Sequence, residues 1–232
     1  MEDLKDKLVD EILRSGALII GEFKLKSGRI SPFFFNIAKM FTPRSLSLLG
    51  SIYASTIRDL LDLKAFDAIV GPSYKGVPIA VATSLKIYEL YGEDKPVLYD
   101  RKEAKKYGVK EEELIIGSAP RGARLVMVDD VLTTGATKAS LKRLLEELGF
   151  KVVGLVVLLD REELEEGVPA STVLEREGLK FKAVMGATEL FQRLWAKASR
   201  GLAPLSKNDM LKIKEYYDAY GAKKLLLSVE DT

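Results

Sequence analysis

Apolar residues recur at helical spacing over residues 3–14, with Leu4, Leu8, Ile12 and Leu13 on one side of a charged segment. Beyond it the period changes. Residues 17–25 (ALIIGEFKL) read as a strand, 26–32 (KSGRISP) as a turn and 33–40 (FFFNIAKM) as a returning strand. A helical pattern resumes over 44–62, and a short buried strand at 65–71 runs into the turn residues of GPSYKGVP. A helix over 78–91, a strand over 96–100 and a charged stretch over 101–113 follow. The strand predicted at 124–128 leads to a helix over 136–148, with Gly149 as its stop. Residues 151–160 (KVVGLVVLLD) are apolar almost throughout, as in a strand covered on both faces, and 181–186 (FKAVMG) is a further strand. Apolar strands alternating with helices predict an α/β fold with a parallel sheet flanked by helices. Residues 187–232 read as helical and form a C-terminal extension too short for a second catalytic domain.

One stretch departs from this simple alternation. In RLVMVDDVLTTGAT (124–137) an apolar run ends on two adjacent carboxylates, Asp129 and Asp130, and small hydroxyl residues fill the turn that follows. In a parallel α/β sheet, ligands bind at the carboxyl ends of strands. The backbone amides opening the next helix, with the hydroxyls of Thr133, Thr134 and Thr137, form an anion site whose usual occupant is phosphate. Two carboxylates would repel a phosphate unless something neutral lay between. A ribose fits: its hydroxyls donate to Asp129 and Asp130 while its 5′-phosphate rests on the amides.

Composition narrows the chemistry. The chain has 232 residues, 47% of them apolar, and a net charge of +2, so bulk electrostatics point to neither nucleic acid nor membrane. No apolar run reaches the roughly 18–20 residues needed to span a bilayer, and the N-terminal segment is a charged amphipathic helix, not a signal peptide. A cytoplasmic protein is expected. Cysteine and histidine are both absent, which removes disulfides, a thiolate nucleophile, His-ligated metal and the commonest general base. An enzyme built from this chain works with carboxylates, Lys, Arg, Tyr, backbone amides or a metal held by oxygen. One Gln, two Asn and 30% charged residues resemble the composition of a thermophile, with a biased genome as the plain alternative.

VMVDDVLTTGAT resembles the phosphoribosyl pyrophosphate (PRPP) signature of the type I phosphoribosyltransferases. FKLKSGRISPFFFN (23–36), GPSYKGVPIA (71–80), DRKEAKKYG (100–108) and LLDRE (158–162) resemble, in order, stretches of the orotate phosphoribosyltransferases, and the likeness spans roughly residues 1–190. It implies the type I phosphoribosyltransferase fold, with a catalytic domain over 1–190 that includes a small hood at about 1–40, and 191–232 as the helical extension. It implies transfer of the phosphoribosyl group from PRPP to N1 of orotate, giving orotidine 5′-monophosphate and pyrophosphate, in pyrimidine biosynthesis.

The roles follow from the matching positions. Tyr74, Lys75, Arg101, Lys102 and Lys105 would bind the diphosphate, with Lys105 the main catalytic lysine of a mobile loop. Asp129, Asp130, Thr133, Thr134, Gly135, Ala136 and Thr137 would cradle the ribose 5-phosphate. Lys26, Phe34, Phe35, Thr133 and Arg161 would hold orotate, Arg161 through a planar guanidinium suited to a carboxylate. Mg²⁺ would be held mainly by PRPP and water, with no direct protein ligand. A homodimer whose loops act in trans is implied, and any orotidylate decarboxylase partner would be a separate chain. The sequence departs from the bacterial pattern at Tyr107, where a histidine is usual, and at VKEEEL (109–114), which replaces a glycine-rich loop tip. Two other readings are a phosphoribosyltransferase for another base, opposed by KSGRISPFFFN, and a PRPP-sensing regulator, opposed by the intact loop lysines and the lack of a basic appendage.

Overall fold

The computed structural model describes residues 1–25, 28–101 and 114–226. Helix α1 (Glu2–Ser15) buries Leu8, Val9 and Ile12 and ends at Gly16, whose φ of 64° is left-handed. Strands β1 (Leu18–Lys24) and β2 (Ile30–Phe35) pair antiparallel, with Leu18 opposite Phe35. Helix α2 (Pro43–Leu60) opens on Thr42, whose side chain accepts the Ser45 N–H, with a proline in the first turn. Strand β3 (Ala68–Val70), helix α3 (Gly76–Tyr91) and strand β4 (Val97–Asp100) form the first parallel unit. Then come β5 (Ile115–Ile116), β6 (Arg124–Leu132), α4 (Ala136–Glu147) and β7 (Lys151–Asp160). A two-residue pair, β8 (Leu164–Glu165) with β9 (Val168–Pro169), precedes α5 (Ala170–Arg176), β10 (Phe181–Gly186), α6 (Ala187–Ala198) and α7 (Lys207–Tyr220).

The main sheet has six strands in the order β10-β7-β6-β3-β4-β5, parallel throughout except for β5, which runs antiparallel to β4. Successive side chains of a strand point to opposite faces. Val126 and Val128 of β6 accordingly join one core cluster with α2, α3, α6 and the hood. Leu125 and Met127 join another with α4 and α5. Helices α2 and α3 touch closely: a Cβ at Gly50 would lie 2.4 Å from the Ala82 carbonyl oxygen.

Three boundaries differ from expectation. β6 does not stop at Val128; it pairs with β7 as far as Leu132 opposite Asp160, because β7 is long enough to offer ladder partners beyond the Asp pair. The returning strand starts at Ile30, inside the stretch expected as a turn. It ends at Phe35, where the Asn36 side chain accepts the Ala38 N–H and turns Ile37–Met40 into a 3₁₀ helix. α5 and the edge strand β5 have too few residues to show a period. The division at 190/191 falls inside α6. α7 packs on β2, with Phe33, Phe191, Tyr216 and Tyr217 in mutual ring contact, so both ends of the chain share the core under the hood.

Candidate active site

The parallel strands β3, β4, β6 and β7 all end on one edge of the sheet, and Tyr74, Lys75, Arg101, Asp129, Asp130, the 133–137 turn and Arg161 follow or close those strands there. Asp129 is buried near the end of β6, and Asp130, beside it, is half-buried. Each carboxylate folds back on the backbone, Asp129 Oδ1 accepting the Asp130 N–H at 2.9 Å and Asp130 Oδ1 the Val131 N–H at 2.8 Å. Each also faces a lysine. Lys138 Nζ lies 2.8 Å from Asp129 Oδ2, and Lys75 Nζ lies 3.2 Å from Asp130 Oδ2. Burial pushes the Asp129 carboxyl above its ordinary range, Lys138 opposes the push, and Asp130 adds to it. Behind them the Tyr53 hydroxyl donates to the Asp129 carbonyl at 2.7 Å; burial raises its pKa well above the ordinary value, so it is a neutral donor.

The turn after β6 is open to solvent at Thr133, Ala136 and Thr137. Gly135 sits at φ 79°, a left-handed conformation that suits glycine, and turns the chain into α4, whose first N–H, that of Ala136, donates to the Thr134 hydroxyl at 3.4 Å. The turn after β3 is tight: a Cβ on Gly71 would lie 2.2 Å from the Gly76 carbonyl oxygen, so the chain doubles back without room for a side chain. Ser73 ties this turn to the end of β4, its N–H donating to Asp100 Oδ1 at 2.5 Å and its hydroxyl to the Asp100 carbonyl. Tyr74 and Lys75 project from it into solvent. Arg101 begins the segment beyond β4, its N–H on the Leu114 carbonyl, and its Nε is a buried donor with no hydrogen-bond partner among the described residues. Lys26, Lys102, Lys105 and Tyr107 lie outside the described residues.

On the hood, strand alternation divides the three phenylalanines. Phe33 and Phe35 point into the core, and Phe34 faces out, 39% exposed, against the Phe23 ring at 5.5 Å. Phe35 is thus a core residue, 4% exposed, and its ring is not available at the surface. Arg161, the first residue after β7, is buried. Its Nε donates to Glu163 Oε1 at 2.8 Å, another guanidinium nitrogen reaches the Ser31 hydroxyl at 3.0 Å, and the group lies 4.2 Å from the Phe33 ring centre. The carboxylate facing Arg161 here is thus Glu163. Burial works against the Arg161 charge, Glu163 outweighs it, and the pKa ends raised. α7 completes the cluster: Tyr216 donates to Glu163 and Tyr217 to the Arg161 carbonyl. Burial and Glu163 push the Tyr216 hydroxyl up to about 12.

The sequence missed Tyr53, Glu163, Tyr216 and Lys138. The first three meet the site only through the fold. Lys138 carried one signal, a cation in the first turn of a helix, where the macrodipole disfavours it unless it has a partner.

A strand-end carboxylate pair, an open helix start and a glycine-bounded turn on a parallel sheet define the phosphoribosyltransferase class. The phosphoribosyl transferase domain model matches residues 42–190, and the chain belongs to that family. Within it the chain is a member of the orotate phosphoribosyltransferases. The protein of that name from Agathobacter rectalis is 34% identical over 227 residues, covering 96% of this chain and all of its own. The crystal structure of orotate phosphoribosyltransferase from Francisella tularensis superposes with a TM-score of 0.72 at 29% identity, over 93% of this chain and 99% of that one. A UMP synthase from Leishmania donovani superposes with a TM-score of 0.74 at 28% identity, over 93% of this chain and 42% of that one.

Proposed function

We propose that this protein transfers the 5-phosphoribosyl group of PRPP to N1 of orotate, forming orotidine 5′-monophosphate and releasing pyrophosphate in the biosynthesis of UMP. The observation that carries the reading is the 3.2 Å approach of Lys75 to Asp130. It joins the turn suited to a diphosphate to the carboxylates suited to a ribose, with the solvent-facing turn at the start of α4 next along the chain. A molecule with diphosphate, ribose and 5′-phosphate in that order matches the three in sequence.

Orotate gives up its N1 proton to solvent; the C1′–oxygen bond to pyrophosphate breaks, its electron pair leaving with the pyrophosphate, and the freed N1 pair forms the new bond to C1′. Negative charge grows on the leaving group, and Tyr74, Lys75, Arg101, Lys102 and Lys105 are assigned to it. Asp129 and Asp130 accept from the ribose hydroxyls, each oxygen keeping a second lone pair for that purpose. Thr133, Thr134, Gly135, Ala136 and Thr137 hold the 5′-phosphate through amides and hydroxyls. Orotate is assigned to Lys26, Phe34, the Phe35 backbone, Thr133 and Arg161. Mg²⁺ enters as part of the substrate, on PRPP oxygens and water, and supplies charge neutralisation to the diphosphate.

The reading includes a two-fold dimer with the loop bearing Lys105 acting on the neighbour's site. Its support is the outer face of α3, where Val81, Leu85 and Tyr88 are 45%, 58% and 61% exposed at helical spacing, starting two turns from Lys75. The reading includes a cytoplasmic, heat-adapted setting, the latter supported by the 30% charged residues and few Asn and Gln; among the described residues no helix is long and apolar enough to cross a membrane. Pyrophosphate release from Mg²⁺–PRPP tests the base: orotate alone should support it from a panel with uracil, adenine and hypoxanthine. Release with a purine and none with orotate contradicts the reading.

A further inference from the structure

Lys138 is out of place by ordinary rules. It is the third residue of α4, at the positive end of the helix dipole, and its side chain is only 10% exposed. A lysine is almost never buried unless paired. Its partners are both on β6: the Asp129 carboxylate, Oδ2 at 2.8 Å, and the Val131 carbonyl, also at 2.8 Å. The Asp129 side chain is itself only 9% exposed. The other charged group close to Asp129 is Asp130, on the same strand, which Lys75 faces from the turn after β3. Tyr53, from α2, is a neutral donor to the Asp129 carbonyl and not to its carboxylate. The opposing β7 residue is Val157, which is apolar.

We propose that Lys138 is a positioning residue for the sugar-phosphate site: it keeps the Asp129 carboxylate charged and aimed, so that PRPP is held through neutral pH. This rests on the reading of the site as a PRPP site. Burial and Asp130 both drive Asp129 toward its neutral form, and Lys138 is the largest opposing influence. Without the lysine charge, the Asp129 pKa rises further, and the site loses an ionised acceptor as pH falls through that raised value. The bond from Lys138 to the Val131 carbonyl fixes the geometry, because it ties the first turn of α4 to the strand carrying both aspartates.

The test is PRPP binding by calorimetry between about pH 6 and pH 9. Wild type should vary little. Lys138→Gln keeps a donor for the Val131 carbonyl and removes only the charge. Its affinity should fall severalfold from the upper to the lower end of that range, because losing the lysine charge carries the already raised Asp129 pKa further up. Lys138→Arg should restore the flat profile. In an Asp129→Asn background, Lys138→Gln should add no pH dependence, since the carboxylate that Lys138 faces is gone. A flat profile for a folded Lys138→Gln protein, or the same pH-dependent loss in the Asp129→Asn background, overturns the role of Lys138 while PRPP binding by wild type stands. Failure of the wild type to bind PRPP overturns both this role and the function it rests on.

Discussion

Asp129 and Asp130 carry like charges one residue apart, yet each is matched by a lysine from a different element, Lys138 on α4 and Lys75 on the turn after β3. The carboxylate pair is thus matched charge for charge, and under the proposed reading what it offers a ribose is oriented acceptors. Asp129→Asn with Asp130→Asn should weaken PRPP binding by about 1.5–3 kcal/mol for each charge-assisted bond lost, and leave orotate binding almost unchanged. Calorimetry with each ligand checks this. Arg161 answers to a different balance. Removing one member of a buried pair typically costs about 3–5 kcal/mol, so Arg161→Ala should lower stability by that order because it strands Glu163. Denaturant titration reads the loss, and Arg161→Ala with Glu163→Gln should recover part of it. The Asp pair, the threonine turn and Tyr74–Lys75 were legible in the sequence because their residues are neighbours in the chain. Glu163 on Arg161 was not, although only one residue separates them, because the pairing depends on Tyr216, Ser31 and Phe33 closing around it.

At the scale of elements, periodicity marked almost every long helix and strand, and it erred where partners decide the length. β6 runs through the aspartates because β7 pairs with it, and Asn36 ends β2 by capping a 3₁₀ turn. The division of Phe33, Phe34 and Phe35 between core and surface follows from strand alternation once β2 is known to start at Ile30. A testable consequence of strand placement lies at the far edge of the sheet from the site. Asp67, just before β3, takes a two-point grip from Arg124 at the start of β6, at 3.0 Å and 2.7 Å. The hydrogen bonds from Arg124 lower the Asp67 pKa from 3.8 to about 2. The folded value lies below the unfolded one, so the pair's stabilisation is present above about pH 4 and is lost as pH falls toward 2. Both side chains are more than a third exposed, so solvent screening keeps the effect small. Asp67→Asn should remove this part of the acid limb, measured as urea midpoints compared between about pH 5 and pH 2.5. An unchanged slope would mean the grip is not maintained in solution.

The whole molecule joins its ends around the sheet. Arg193 of α6 binds Glu2 and Asp6 of α1 as well as Glu189, and Lys5 binds Glu189 too, a network that suits stability at high temperature better than isolated pairs would. Assembly carries its own prediction. Lys105→Ala and Asp130→Asn subunits should each be nearly inactive; mixed and allowed to exchange, they should regain about a quarter of wild-type activity if the loop serves the neighbouring site, since half the dimers then hold one intact site. No recovery, with exchange shown by mass, would place Lys105 within its own chain. Sequence carried the fold class and family because the motifs sit at strand ends in order. It was silent on how α7 braces the segment after β7, because Tyr216 and Tyr217 meet Glu163 and Arg161 across more than fifty residues of chain. The most direct test of the central claim is the ultraviolet absorbance of orotate after PRPP is added, with and without Mg²⁺. The account predicts that absorbance falls only when orotate, PRPP, Mg²⁺ and protein are all present, with orotidine 5′-monophosphate and pyrophosphate appearing one for one; orotate left intact under those conditions by a folded protein that binds PRPP would contradict it.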